Sequence, residues 1–370
     1  MLIRPAEDFR EARAVIKVVG VGGAGGNAVN RMIQASLRGV EFIASNTDAQ
    51  VLKGSLAEVR VQLGEGLTKG LGAGGDPMKG REATLESEGL LREYLAGSDL
   101  VFITAGMGGG TGTGGAPVVA RVAKELGALT IGVVTKPFDF EGMHRAEIAQ
   151  SGIQEMRQNV DTLLQIPNQR LFDIIDSRTP AHEAFRRADD VLRKAIQSIS
   201  DVITLPGAIN MDLNDIRAIM KDAGEAMIGM AEESGGGRAL KAAKAAVESP
   251  LLENAVIDGA KGLIVNVTGR KEDLMLCEIE EAMGHIKNAA SPDARIKLGK
   301  AYDETLGDKI RITVIATGFP PRRKGSLSAA RRLDLSPRDV PSDARALVMA
   351  STLEELNKPA FMRLKVRKLR

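Results

Sequence analysis

Tryptophan is missing from the 370 residues, aromatics make up only 3%, and there is one cysteine, Cys277. A lone thiol excludes a disulfide framework and a thiolate metal cluster, and it fits a reducing, cytoplasmic setting. With so few aromatic rings, the core must rest on Val, Ile, Leu, Ala and Met. The three histidines, His144, His182 and His285, have no ligand spacing and read as surface or packing residues. No run approaches the ~20 apolar residues that span a bilayer. The polar opening MLIRPAEDFREAR does not read as a signal peptide. Direct membrane insertion is therefore not expected.

What is present suffices for a sizeable core and two domains, since 44% of the chain is hydrophobic and 26% charged. The net charge of +2 hides an asymmetry. Residues 321–370 hold 13 Lys/Arg and 5 Asp/Glu, net +8, which leaves 37 and 43, net −6, for residues 1–320. A mildly acidic body argues against nucleic acid as its ligand. The basic end reads equally as a contact for an acidic partner or surface and as a solvated tail.

Short β-rich runs alternate with helical patterns in the first half. The runs are AVIKVVG (14–20), EFIAS (41–45), DLVFITAG (99–106), LTIGVVT (129–135) and TLLQIP (162–167). Candidate helices between them include 27–37, 77–95 and 117–126. Continuous apolar strands separated by helices imply an α/β fold with a parallel sheet covered on both faces. Right-handed crossovers then gather the loops after the strands along one rim, where open α/β sheets bind ligands. A long helix is expected over 181–204, with Phe185, Val191, Leu192, Ile196, Ile199 and Val202 near one stripe. A helix at 212–224, helical composition at 239–249, and strands at 262–269, 294–300 and 310–318 indicate a second, α+β domain. Beyond Pro320 the composition turns to that of a linker. The last 18 residues regain the apolar character of a docking peptide.

Three glycine-rich stretches read as strand-to-helix turns on the binding rim. They are GVGGAGGN (20–27), GLGAGGDP (70–77) and GMGGGTGTGG (106–115), the last with seven glycines in ten positions and Pro117 placed for a first helical turn. Asp76-Pro77 suits a helix start. Glycines let consecutive N–H groups point into one concavity, and a helix N-terminus adds a positive dipole end. Thr111 and Thr113 add hydroxyl donors. This chemistry suits phosphate oxygens, and three such loops suit a triphosphate. A dinucleotide site is the alternative, because Gly20, Gly22 and Gly25 fit G-x-G-x-x-G with Glu41 at the end of the next strand. That reading leaves two glycine loops unused. No Walker A motif is present, and TKPFD (135–139) misses the Ras-like guanine motif by one residue.

GGGTGTGG (108–115) resembles the signature of the tubulin/FtsZ family. GVGGAGGNAVN (20–30), NTDAQ (46–50), TKGLGAGGDP (68–77), TKPFDFEG (135–142), IPN (166–168), NMDLNDIRAIM (210–220) and SPLLE (249–253) extend the likeness over roughly residues 14–318. The resemblance implies a parallel-sheet, Rossmann-like GTPase domain (14–180) after an N-terminal extension (1–13). A long central helix (181–204) joins it to a smaller α+β domain with a catalytic loop (205–318). A flexible linker (319–352) and a docking peptide (353–370) complete the arrangement.

The resemblance also implies GTP/GDP and Mg²⁺ as cofactors and a GTPase active only on polymerisation. Gly23, Ala24, Gly25, Gly26 and Asn27 would contact the nucleotide, and Gly110, Thr111 and Gly112 its phosphates. Ala73, Gly74 and Gly75 would approach the γ-phosphate, with Asn46 and Asp48 supporting it or water around Mg²⁺. Glu141 and Arg145 would meet the ribose. Asn168, Asp189 and the adjacent Asp190 would read guanine, with Phe185 stacked on the ring. Asp212 and Asp215, shaped by Asn210 and Arg217, would enter the next subunit's site and activate water; helix capping is the competing reading for Asp212. No protein-only metal site is expected. Head-to-tail contact of this kind yields filaments. Pro359, Ala360, Phe361 and Arg363 resemble the family's docking motif for membrane-tethering and regulatory division proteins, although Asn357 and Lys358 depart from its usual lead-in. The implied place of action is the cytoplasmic mid-cell division site.

Overall fold

The computed structural model describes residues 14–173, 179–204, 211–252 and 257–319. The chain divides into two units, Met1–Pro320 and Pro321–Arg370, and every described residue lies in the first. Docking-peptide residues Pro359, Ala360, Phe361 and Arg363, like Asn210, fall outside the described residues.

The first part runs β1 (Ile16–Val21), α1 (Gly22–Gln34), β2 (Glu41–Asn46), α2 (Ala49–Lys53), β3 (Val59–Gln62), α3 (Glu65–Thr68), α4 (Pro77–Glu86) and α5 (Glu88–Leu95). It continues with β4 (Leu100–Gly106), α6 (Thr111–Glu125), β5 (Leu129–Lys136), α7 (Met143–Asn159) and β6 (Thr162–Pro167). After α8 (Ala181–Thr204) come α9 (Leu213–Met220), β7 (Gly224–Glu233), α10 (Arg238–Val247), β8 (Gly262–Gly269), α11 (Leu276–Ala289), β9 (Arg295–Tyr302) and β10 (Ile310–Thr317).

The strands form one ten-stranded sheet in the order β3-β2-β1-β4-β5-β6-β7-β10-β8-β9. From β3 to β7 every pairing is parallel; β10 then runs antiparallel to both β7 and β8. The order 3-2-1-4-5-6 reverses direction between β1 and β4, and doubly wound sheets bind ligands beyond the strand ends at such a switch point.

Strand residues alternate between two cores, as burial on both faces requires. Ile16, Val18, Leu100 and Phe102 face the side of α1 and α8, whereas Val19, Val21, Val101 and Ile103 face the side of α5, α6 and α7. In α8, Leu192, Ile196, Ile199 and Val202 are buried, each worth ~1.5–3 kcal/mol of transfer free energy. Phe185 belongs to the expected stripe by position but stays exposed. A third core lies between α10, α11 and strands β8 and β10.

Several local expectations need correction. Helices α1 and α6 begin at Gly22 and Thr111, not at 27 and 117, so Pro117 lies inside α6 and much of both glycine stretches is helical. Tertiary approach outweighs glycine's poor helix propensity here: a Cβ on Gly22 would meet Gly112 N at 2.9 Å, and one on Gly112 would meet Gly106 O at 2.7 Å. The 70–77 loop follows α3, not a strand. The expected helix 77–95 breaks at Ser87, whose hydroxyl accepts from Gly64 N at 3.0 Å and donates to Gln62 O at 3.3 Å. Strand β7 occupies sequence that carried no strand expectation.

Candidate functional site

A cleft of about 270 Å³ opens at the C-terminal ends of β1, β4, β5 and β6. Its floor is the pair of abutting helix starts. Gly23 and Ala24 come from the first turn of α1, and Gly110, Thr111 and Gly112 from the entry to α6. Neither helix has a side-chain N-cap, which leaves their first N–H groups and dipole ends turned toward an anion. The opposite wall holds Glu141, Arg145, Asn168, Phe185 and Asp189.

The polar groups of that wall are fixed by their neighbours. Phe138 N donates to Glu141 Oε1 at 2.8 Å, and Glu141 Oε2 pairs with Arg145 Nη1 at 3.0 Å. Asp189 Oδ2 accepts from Arg31 Nε of α1 at 2.9 Å. Burial pushes the Asp189 carboxyl above its usual range, with the Arg31 hydrogen bond and charge pulling it back. Asn168 is buried, yet its Oδ1 has no hydrogen-bond partner. An orphaned buried acceptor of this kind suits a ligand N–H. Phe185 is 42% exposed, stands edge-on to buried Phe138 at 5.3 Å and lines the cleft, an aromatic surface suited to stacking.

The remaining expected residues lie around this cleft or away from it. Gly25, Gly26 and Asn27 sit in the first turns of α1 without lining it. Ala73, Gly74 and Gly75 form a loop beside Gly110, on which a Cβ would meet Ala73 Cβ at 2.9 Å. Gly74 and Gly75 have φ of +64° and +84°, values that side chains rarely tolerate. Asn46 Oδ1 accepts from Asp48 N at 3.2 Å, while Asp48 Oδ1 caps α2 through Gln50 N at 2.8 Å and Val51 N at 3.2 Å. A backbone β-bridge between Asp48 and Leu71 ties that segment to the 70–77 loop. Among the described residues no cluster of three or more His, Cys, Asp or Glu forms a metal cage. A single carboxylate, Asp48, on a segment paired by its backbone with the glycine loop fits Mg²⁺ held mainly by phosphate oxygens and water.

Asp190 faces the other way: it pairs with Arg193 at 2.7 Å and Lys194 at 3.7 Å and lines a separate cleft. Thr113 is buried and accepts from Gly108 N at 2.9 Å, so its hydroxyl clasps the loop. Sequence reasoning did not anticipate Thr135 and Pro137 in the lining, Arg31 behind Asp189, or Thr47, whose hydroxyl shares a 2.6 Å hydrogen bond with Thr111. The dinucleotide alternative fails on geometry. Glu41 starts β2 rather than ending it and pairs with Lys17 at 3.3 Å, at the far end of the strand from the cleft.

Asp212 and Asp215 are also remote from the cleft. Asp212 Oδ1 caps α9 by accepting from Asp215 N at 2.7 Å, and Asp215 pairs with Lys297 at 2.5 Å. Arg217 donates to the carbonyl of Asp99, just ahead of β4, and Gly224 N donates to Asp161 O, just ahead of β6. Helix α9 therefore lies where the parallel strands begin. Helix α8, 24 residues or ~36 Å long, separates it from the rim where they end.

Glycine-rich helix starts at the switch point, facing an aromatic ring and a carboxylate, define a nucleotide-binding enzyme of doubly wound α/β type. The profile "Tubulin/FtsZ family, GTPase domain" matches residues 15–176, and "FtsZ family, C-terminal domain" matches 224–320. The chain is 43% identical to an FtsZ of M. jannaschii solved as an empty dimer, with a TM-score of 0.80 over 84% of this chain and 89% of that one. CetZ1 of Haloferax volcanii, solved as a GDP-bound monomer, shares the fold at 22% identity, TM-score 0.71, covering 83% of this chain and 95% of that one. CetZ2 of the same organism, solved as a GTPγS-bound protofilament, does so at 18% identity with the same TM-score and 83% and 94% coverage. The chain belongs to the tubulin/FtsZ family and is a guanine-nucleotide-binding GTPase.

Proposed function

We propose that this GTPase polymerises head to tail and hydrolyses GTP only between subunits. The observation that carries the reading is the separation along α8: a cleft at one end of the sheet, and Asp212 and Asp215 at the other. No side chain spans ~36 Å, so the carboxylates serve a cleft only when a second copy brings them there. Segments that carry expected site residues also expose apolar side chains, Leu71 at 83% in the 70–77 loop, and Phe140 at 65% and Met143 at 79% on either side of Glu141, which favour a covered state.

In the assembled site, Gly23, Ala24, Gly110, Thr111 and Gly112 hold phosphates through backbone N–H groups, and Ala73, Gly74 and Gly75 close on the γ-phosphate. Asn168 and Asp189 read the base, Phe185 stacks on it, and Glu141 with Arg145 meets the ribose. Mg²⁺, with Asn46 and Asp48 near it, would neutralise phosphate charge. The partner copy's Asp212 and Asp215, with Asn210 two positions before the first, orient a water and accept its proton as its oxygen attacks the γ-phosphorus and GDP leaves. At the cellular level the filament forms the division ring at mid-cell, and Pro359, Ala360, Phe361 and Arg363 dock tethering and regulatory proteins. A purely structural filament is the rival, and it would need the two carboxylates only for the α9 cap and the Lys297 pair.

A mixing experiment tests the interface. Asp212→Asn retains a cleft, and Asp189→Ala retains the carboxylate loop; each alone should release little phosphate. Mixed with GTP they should recover activity, because one supplies the loop and the other the nucleotide. A mixture no more active than its parts would contradict intersubunit hydrolysis.

A further inference from the structure

Helix α1 does more than present glycines to phosphate. Eight residues after Gly23, ~12 Å along the helix, Arg31 reaches α8 and its Nε–H donates to Asp189 Oδ2 at 2.9 Å. Arg31 itself lines the larger cleft, of about 1000 Å³, on the side of α8 to which Asp190 turns. It touches the nucleotide cleft only through Asp189, whose side chain is 13% exposed. The other charged groups lining the nucleotide cleft, Glu141 and Arg145, pair with each other. On α8 itself, Arg193 is engaged by Asp190 and Arg186 by Glu183. Among the described residues, Arg31 is the cation that hydrogen-bonds Asp189.

We propose that Arg31 is a positioning residue for base recognition, fixing the Asp189 carboxylate in rotation and charge so that it accepts from N1–H and the exocyclic amine of guanine. This rests on the guanine-nucleotide reading of the cleft. A carboxylate nearly cut off from water tends to protonate, and a protonated acid opposes the N1–H donor with a donor of its own. Arg31 opposes this with one charge-assisted hydrogen bond to Asp189 Oδ2. The inference gives α1 two roles: its first turn faces phosphate and its third turn sets the group that reads the base. Discrimination should follow the ring edge. Hypoxanthine lacks the amine, and xanthine places a carbonyl where the carboxylate sits.

Calorimetric titration of GDP, IDP and XDP, from about pH 4 to 8, that is from the ordinary aspartate range upward, tests this with wild type, Arg31→Gln and Arg31→Lys. Arg31 is a partly exposed side chain, and far-UV circular dichroism checks that each variant is folded. In Arg31→Gln the GDP-over-IDP preference should fall about tenfold, the factor of one hydrogen bond near 1.4 kcal/mol. Without the cation the Asp189 pKa rises further, so GDP binding should be lost at a higher pH than in wild type, while XDP binding improves there. Arg31→Lys should restore part of both. An unchanged preference and pH midpoint in folded Arg31→Gln would overturn the proposal. So would an equal loss for all three nucleotides, which marks a merely structural contact. A wild type that does not prefer GDP to IDP would instead sink the guanine reading itself, and this inference with it.

Discussion

Gly114, in the second turn of α6, shows how closely the phosphate loops depend on helix packing. A Cβ there would run into the Pro77 carbonyl oxygen and lie 2.7 Å from Arg81 N, both backbone atoms of α4. Backbone cannot swing aside as a flexible side chain does, so α4 must move away. Gly114→Ala thus sets two effects against each other. Alanine favours the helix by ~1 kcal/mol, whereas overpacking costs ~1–3 kcal/mol and occasionally more. Collision with two backbone atoms places this site at the upper end, for a net loss of ~1–2 kcal/mol. At ~2–4 °C per kcal/mol, the Tm should fall ~2–8 °C. Asp76 caps α4 directly after the 73–75 loop, so GTP affinity should drop as well. Gly89, on the exposed face of α5, is the control: a Cβ there meets nothing within 4 Å, and Gly89→Ala should leave the Tm unchanged or raise it. Thermal unfolding followed by circular dichroism decides the matter. A Gly114→Ala protein as stable as wild type, with unaltered GTP affinity, would refute this packing argument.

Two further substitutions separate charge from structure. Asp212 caps α9, a role asparagine fills as well and alanine loses at a cost of ~1 kcal/mol. Asp212→Asn should match wild type in stability, GTP binding and assembly, yet release phosphate about 100-fold more slowly or worse. Asp212→Ala should also bind and assemble with little phosphate release, but with a lower Tm. Normal phosphate release by either would remove Asp212 from the chemistry. In α8, burial pushes the Asp201 carboxyl up to about 6 from 3.8, with nearby Asp303 adding to it and Gln197, Arg311 and Arg193 opposing. The folded state therefore holds that proton more tightly, and its contribution to stability falls as pH rises from about 4 to 6. Asp201→Asn should raise the Tm at neutral pH, by up to ~3 kcal/mol of stability, with no gain near pH 4. Glu232 titrates outside that window: burial opposes its charge, but Lys194 and Arg311 prevail and hold it at about 2. An equal effect of Asp201→Asn at both pH values would contradict the assignment.

Strong periodicity made much of the fold legible. The long helix falls on 181–204 and a C-terminal strand on 262–269, both as expected. Strand β7 escaped because Gly224–Glu233 contains one β-branched residue, Ile228, and is otherwise Gly, Ala, Met and Glu. It is a strand because β6 and β10 flank it on the two sides. The starts of α1 and α6 were hidden for a related reason, since glycine suppresses local helical signal while permitting the approach that makes those turns helical. Residues expected from contiguous motifs, such as Gly110, Thr111, Glu141 and Asn168, line the cleft. Arg31 was not anticipated, because its partner lies 158 positions away and no spacing rule connects them. The identity of adjacent Asp189 and Asp190 gave no clue to which faces the cleft; helical rotation separates them.

The claim on which all else depends is that a single copy is an incomplete enzyme. Phosphate release, measured across a dilution series alongside light scattering with GTP, tests it directly. Specific activity should rise with protein concentration and vanish below the concentration at which scattering appears. Constant specific activity through that threshold, in protein too dilute to associate, would contradict the account.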